Sequence, residues 1–337
     1  MAFQICTIGC GNHSTLVHGP SYKKYVQKRP DTVLAACCDL NSERASTYRD
    51  RFGFQRSYTD LHEMLKRERP DAVCVIVPEP YICQTSLEVM EAGFPILLEK
   101  PPGLCRAETL NMIKTAERTG VINQVAFNRR YLPLMGVLKK EIDLHARGTV
   151  QNLFYEFYRF GRREPFFETT AIHGTDAAKY VLGSDYKEVR FTYQKLPRQG
   201  EKVANFLLEC VFENGVTARL NFCPCTGVVT ERLCVTALDQ TFFLRTPIWD
   251  GMDAPGEYLH IKGCAVQSRI SGKDLTDSQE LFETNGFYQE NFDFFENVRA
   301  GRKSENDIRS ALQSVEIAEA IKLRAPFWRQ GGSVEAG

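Results

Sequence analysis

The chain has 337 residues, enough for two domains with real cores. Its 42 basic and 42 acidic residues cancel, so no strong field would draw a polyanion, and nucleic acid is excluded as an expected partner. No apolar run reaches the roughly 18 residues of a membrane span, and the strand-like start carries no signal peptide, which predicts a cytoplasmic protein with no membrane partner.

Residues 1–126 alternate apolar runs with helix-like stretches. Strands are predicted at Phe3–Ile8, Val33–Asp39, Ala72–Val77, Pro95–Leu98 and Ile122–Phe127. Helical spacing falls between them at Ser42–Phe52, Leu61–Glu68, Thr85–Ala92 and Arg106–Thr119. Alternating β and α of this kind predicts an α/β domain with a doubly wound parallel sheet. Gly19-Pro20 is expected to delay or break the first helix.

The pattern changes at 127. Strand-like runs at Asn152–Phe160, Val189–Lys195, Val203–Phe212, Thr217–Cys223, Glu231–Leu238 and Tyr258–Cys264 are closely spaced and suggest an antiparallel sheet. Asn214-Gly215 reads as a hairpin turn. A helix is predicted near Thr170–Leu182, and two more at Phe287–Ala300 and Glu305–Lys322. The expected division is 1–126, 127–330 and a loose tail at 331–337. The twelve cysteines are scattered, and the close pairs Cys37-Cys38 and Cys223-Pro224-Cys225 have no partner pair at zinc spacing. Reduced structural thiols and no metal are expected.

Two clusters carry chemistry. The first is Ile8-Gly9-Cys10-Gly11-Asn12-His13-Ser14, a strand running into a glycine turn and then a helix. Backbone N–H groups in such a turn approach a pyrophosphate at the helix N-terminus. Ser14 stands where the pattern has its third glycine and could offer a hydroxyl to phosphate. Asp39 ends the second strand, where its carboxylate can accept from both ribose hydroxyls. Its neighbour Leu40 supplies no cation, though Arg44 is near, so NAD is favoured over NADP. The alternative makes Asp39 the N-cap of the helix at Ser42.

The second cluster begins with Glu99-Lys100-Pro101, which closes a buried strand at the carboxyl end where open α/β sheets bind ligands. Desolvation beside a nicotinamide can lower the Lys100 pKa and fit it for proton transfer, with Glu99 orienting the lysine or the ribose. His173 and Asp176 sit at i and i+3 of a helix, so the carboxylate can orient the imidazole. Arg162 and Arg163 suit an anionic substrate group or form a solvated basic turn.

These motifs, with Val125-Ala126-Phe127-Asn128-Arg129-Arg130-Tyr131 and Phe287-Tyr288-x-x-Asn291-Phe292, occur in one order. The chain resembles the Gfo/Idh/MocA family of glucose–fructose oxidoreductase and inositol dehydrogenase. The resemblance implies an N-terminal Rossmann domain and a C-terminal α+β domain with a large, mostly antiparallel sheet that makes a homodimer or homotetramer. It implies NAD(P)-dependent hydride transfer on a sugar, glycoside or cyclitol. Lys100 matches the family's catalytic lysine and His173 its active-site histidine. Arg129 and Arg130 match residues near nicotinamide and substrate, and Val77, Pro78 and Asn128 complete the cofactor set. Two departures stand out: Thr169 occupies a position where many members have aspartate, with Glu168 one step earlier, and no histidine stands near Ile82. Thr169 is then expected to hold a substrate hydroxyl. Other readings are an enzyme that cycles tightly bound NAD through a keto-sugar for elimination or glycoside cleavage, and a non-catalytic NAD sensor.

Overall fold

The chain divides into two units, residues 2–128 with Phe287–Val315 and residues 129–332 without that segment, in a computed structural model that describes residues 2–332. The expected boundary at 126/127 lies within two residues of the observed one. The continuous second domain at 127–330 is corrected: Phe287–Val315 returns to the first unit. Periodicity marks a helix but not the core it joins, and here Phe294 and Phe295 pack with Phe3, Tyr22 and Tyr25. Most of the expected tail, from residue 333, lies outside the described residues.

In the first unit β1 (Phe3–Ile8) leads to a helix already begun at Asn12 and His13, wound as a π-helix over Ser14–His18 and continued by α1 (Gly19–Lys28). Then come β2 (Thr32–Cys38), α2 (Ser42–Phe52), β3 (Arg56–Tyr58), α3 (Leu61–Glu68), β4 (Ala72–Val75), α4 (Glu79–Glu91), β5 (Ile96–Leu98), α5 (Arg106–Thr119) and β6 (Asn123–Val125). The strands are all parallel, in the order β3-β2-β1-β4-β5-β6. Their buried Val, Ile, Leu, Ala and Cys suit a sheet covered on both faces. The order reverses between β1 and β4, so the crevice at their carboxyl ends is where such sheets bind ligands.

Gly19-Pro20 does not break the helix. The Gly19 N–H closes the π turn onto the Ser14 carbonyl, and Pro20 follows at once within the continuous helix, just past that wider turn. A Cβ on Gly19 would lie 2.5 Å from the Phe52 ring, so glycine here lets α1 close on α2. Helix α4 starts six residues before the expected Thr85, because Pro80 fits its first turn.

In the second unit follow α6 (Pro133–His145), β7 (Val150–Tyr158), α7 (Glu168–Leu182), β8 (Tyr186–Lys195), β9 (Ala204–Phe212), β10 (Thr217–Cys223), β11 (Thr230–Ala237), β12 (Gln240–Arg245), β13 (Glu257–Lys262), β14 (Ala265–Ser271) and β15 (Phe327–Arg329). The nine strands order β14-β13-β12-β11-β7-β10-β9-β8-β15, antiparallel except for β10 against β7. Alternation along β9 and β10 buries one face; α6 and α7 contribute to its core. Gly215 supplies the positive φ of the expected hairpin. All twelve cysteines are free thiols, six of them buried. No helix among the described residues is long and apolar enough to cross a membrane.

Candidate active site

The glycine turn sits at the carboxyl end of β1. Gly9 has φ +99°, and a Cβ there would lie 2.0 Å from the Ile76 carbonyl oxygen, so the chain itself demands glycine. Gly11 differs: a Cβ there would meet nothing within 4 Å. Space at Gly11, followed by the helix N-terminus at Asn12, is what a pyrophosphate requires. Ser14 does not face that space. Its hydroxyl is buried and donates to Tyr48 Oη at 2.8 Å, which corrects the expected phosphate contact. The smaller side chain is used for packing, as the pattern's third glycine would be.

Asp39 is fixed by backbone donors from two loops. Its Oδ2 accepts from Cys10 N at 2.9 Å and its Oδ1 from Asn41 N at 3.0 Å. Arg44 Nη1 lies 3.6 Å from Oδ2. The cap of α2 is Asn41, whose side chain accepts from Arg44 N at 2.9 Å, so Asp39 is not the N-cap. Leu40 is 94% exposed beside it. A cleft of about 330 Å³ opens here, lined by Cys10, Asn12, Thr15, Asn41, Arg44 and Thr47 among others. Val77 and Pro78 lead from β4 into α4, and Val77 lies against Gly9. These residues fit a dinucleotide: a cradle at Gly11, a helix terminus, and a carboxylate placed for a ribose.

Glu99 extends β5 by one residue, its N–H donating to Val75 O at 3.0 Å. Its carboxylate is buried. Oε1 accepts from His13 Nε2 at 3.1 Å and from His18 Nε2 at 2.9 Å, and Oε2 accepts from Lys100 N at 3.1 Å. Burial opposes the charge, but the two imidazoles hold the Glu99 carboxyl well below the usual range. Burial in turn pushes His18 down, against the pull of Glu99. Glu99 was expected to orient the lysine side chain or a ribose; it holds the Lys100 backbone and both histidines. Lys100–Pro101 is cis. Asn128 is buried at the end of this unit's first segment.

In the second unit α7 lies almost wholly buried. Gly174, next to His173, allows this: a Cβ would stand 2.5 Å from the Phe222 ring on β10. His173 is 8% exposed. Asp176 was expected to orient it, but both its oxygens are taken by Arg130, with Nε to Oδ2 at 2.8 Å and Nη2 to Oδ1 at 2.6 Å. A bidentate guanidinium outcompetes an imidazole for a carboxylate. Arg129 turns to Glu231, with Nη2 to Oε1 at 2.7 Å. Glu231 also takes Arg159 and the Tyr155 hydroxyl, the latter at 2.7 Å. Burial raises its pKa, but the two guanidiniums bring it down to about 2.

The Thr169 hydroxyl donates to Phe166 O at 3.0 Å, a bond that serves the helix start. Arg162 pairs with Glu164 and donates to Thr170 Oγ1 at 3.1 Å, while Arg163 is exposed. His18 and Glu231 are buried polar residues for which the sequence suggested no site role.

Residues 3–127 match the model of an oxidoreductase family with an NAD-binding Rossmann fold, GFO_IDH_MocA. The chain is similar to the D-glucoside 3-dehydrogenase of Escherichia coli K12, 26% identical over 194 residues, which are 53% of this chain and 54% of that protein. It is also similar to the myo-inositol 2-dehydrogenase of Thermotoga maritima, 26% identical over 199 residues, 55% and 57% of the two chains. The match thus spans little more than half the length of these relatives. In fold it resembles a levoglucosan dehydrogenase solved with NADH, with TM-score 0.81, 18% identity and 95% and 96% of the two chains covered.

Proposed function

We propose that this chain, whose residues 3–127 match the NAD-binding Rossmann domain of the Gfo/Idh/MocA oxidoreductase family, is an NAD-dependent dehydrogenase of a secondary alcohol on a sugar, glycoside or cyclitol. The observation that carries this is Glu99-Lys100 at the carboxyl end of β5, in the crevice that also holds the glycine turn and Asp39. The names of the relatives, a glucoside and an inositol dehydrogenase, support the substrate class.

Gly9, Gly11, Asn12 and His13 form the turn for the pyrophosphate. Asp39 takes the adenosine ribose and disfavours a 2′-phosphate, although its pairing with Arg44 weakens that bias. The bound dinucleotide supplies the hydride acceptor or donor. Lys100 takes the hydroxyl proton in oxidation and returns it in reduction, and His173 assists. Thr169 cannot ionise at neutral pH, so proton transfer falls to the amine and the imidazole. We assign Arg129, Arg130 and Asp176 to holding the second unit's shape rather than to direct substrate contact, since each is engaged in a buried ion pair. The open face of the nine-stranded sheet, with Phe243 40% exposed, is the surface we assign to self-association, and the cytoplasm is the assigned compartment.

The test is NADH absorbance over a panel of sugars, glycosides and cyclitols. At least one polyol is expected to turn over, and Lys100→Ala is expected to slow it by about 10²- to 10⁴-fold. Full activity of Lys100→Ala would reject the assignment.

A further inference from the structure

The His13, His18 and Glu99 group was not anticipated, and its three ligand-capable atoms lie within 4.8 Å of one another. The hydrogen bonds decide what it is. Asn291 donates from Nδ2 to Phe287 O at 2.7 Å, which turns its amide NH2 toward His18 Nδ1 at 3.1 Å. The amide oxygen of Asn291 lies farther off, at 3.4 Å, so the shorter contact makes His18 Nδ1 the acceptor and puts the ring proton on Nε2, aimed at Glu99. In this tautomer Nε2 serves Glu99 as a donor and offers no lone pair to a metal. The cluster is a set of donors converging on one buried carboxylate.

That carboxylate has a defined place. The dinucleotide crosses the crevice in two halves, and Asp39 at the end of β2 marks the adenosine half. Glu99, at the end of β5 beyond the reversal of strand order, lies in the half left for nicotinamide. The oxidised ring is a cation and the reduced ring is neutral. A buried charge acts on such a difference more strongly than one in water. We propose that the buried Glu99 carboxylate, supported by the His13 and His18 N–H groups, biases this site toward the oxidised cofactor. The Lys100 side chain is present in every comparison that changes only residue 99. This inference rests on the dinucleotide reading of the cleft.

The experiment is isothermal titration calorimetry of the full chain with NAD+ and with NADH at pH 7, for wild type and Glu99→Gln. Glutamine keeps the shape and removes the charge. The Kd for NAD+ is expected to rise roughly five- to tenfold while that for NADH stays within about twofold. Equal weakening of both, or no change in either, overturns the proposal. If Glu99→Gln does not fold by circular dichroism, Glu99→Asp draws the charge back by one methylene, and a smaller loss of NAD+ preference of the same sign is expected; an unchanged ratio again overturns it. Micromolar Zn2+ binding that His18→Gln abolishes would overturn it as well, by making the cluster a metal site. Wild type that binds neither cofactor would fail the dinucleotide reading itself, a result distinct from an unchanged ratio.

Discussion

Glu99 and Glu231 are both buried carboxylates held by three side chains or backbone groups, yet they are built for different ends. Glu231 faces two permanent cations, Arg129 and Arg159, and a phenol. Its charge is more than balanced, so little negative field is left for a ligand. Glu99 faces two imidazoles and a backbone N–H, and burial favours the neutral form of one of these imidazoles, His18. A neutral His18 and a backbone N–H solvate the charge without cancelling it. A buried carboxylate paired with arginine therefore reads as architecture, whereas one paired with imidazole N–H groups at a sheet's carboxyl edge reads as a working charge.

The sharpest way to break that contrast is to remove Glu231. Glu231→Ala leaves two buried guanidiniums without a counter-ion and is expected to cost about 3–5 kcal/mol of stability, read as a lower urea midpoint or Tm. A variant as stable as wild type would show that Arg129 and Arg159 reach water without it, and the architectural role would be lost.

Acid titration sharpens the same point without mutation. The folded Glu231 pKa is depressed from 4.5 to about 2, so its contribution is fully present above the unfolded value and is lost as pH falls from about 4.5 toward 2. The size is about 3 kcal/mol. Urea midpoints measured from pH 6 to pH 3 are expected to fall steeply, and the Glu231→Gln variant is expected to show a shallower fall. Identical slopes would place the acid sensitivity elsewhere.

Much of this is legible in the amino-acid sequence. The βα alternation, the glycine turn, Asp39 and Glu99-Lys100 follow from periodicity and local chemistry, and each stands at the carboxyl edge of the parallel sheet. The three-residue strand β3 has no apolar run to mark it, unlike β5 and β6, which are as short. Helix α6 had a usable signal in Leu134, Met135, Leu138 and Ile142, which are buried at helical spacing. His18 is the instructive case. At 3.6 residues per turn, His13 and His18 fall on different faces of a helix. The π turn at Ser14–His18 winds wider, so residues five apart come round to one side, and both rings reach Glu99. Arg130 with Asp176 and Arg129 with Glu231 are pairings of 46 and 102 residues' separation, which no local rule supplies.

The two glycines of the turn extend the contrast to the backbone. Gly9→Ala places a Cβ 2.0 Å from the Ile76 carbonyl oxygen at a φ of +99°, so the loop must move. A loss of about 1–3 kcal/mol is expected in thermal denaturation, together with weaker NAD+ binding.

Gly11→Ala should do almost nothing to the fold. Its φ lies outside the left-handed region, and its Cβ would meet no protein atom within 4 Å. Alanine narrows the unfolded ensemble, so stability is expected to change by no more than about 0.5 kcal/mol, in either direction. Calorimetry should nonetheless show weaker binding of NAD+ and NADH alike, because the space that the chain leaves open at Gly11 is the space that the pyrophosphate needs. This is the opposite signature to Glu99→Gln, which changes the ratio of the two affinities. A Gly11→Ala variant that kept wild-type affinity for both forms would mean that the dinucleotide does not cross the turn, and the glycine there would be left without a purpose in fold or site.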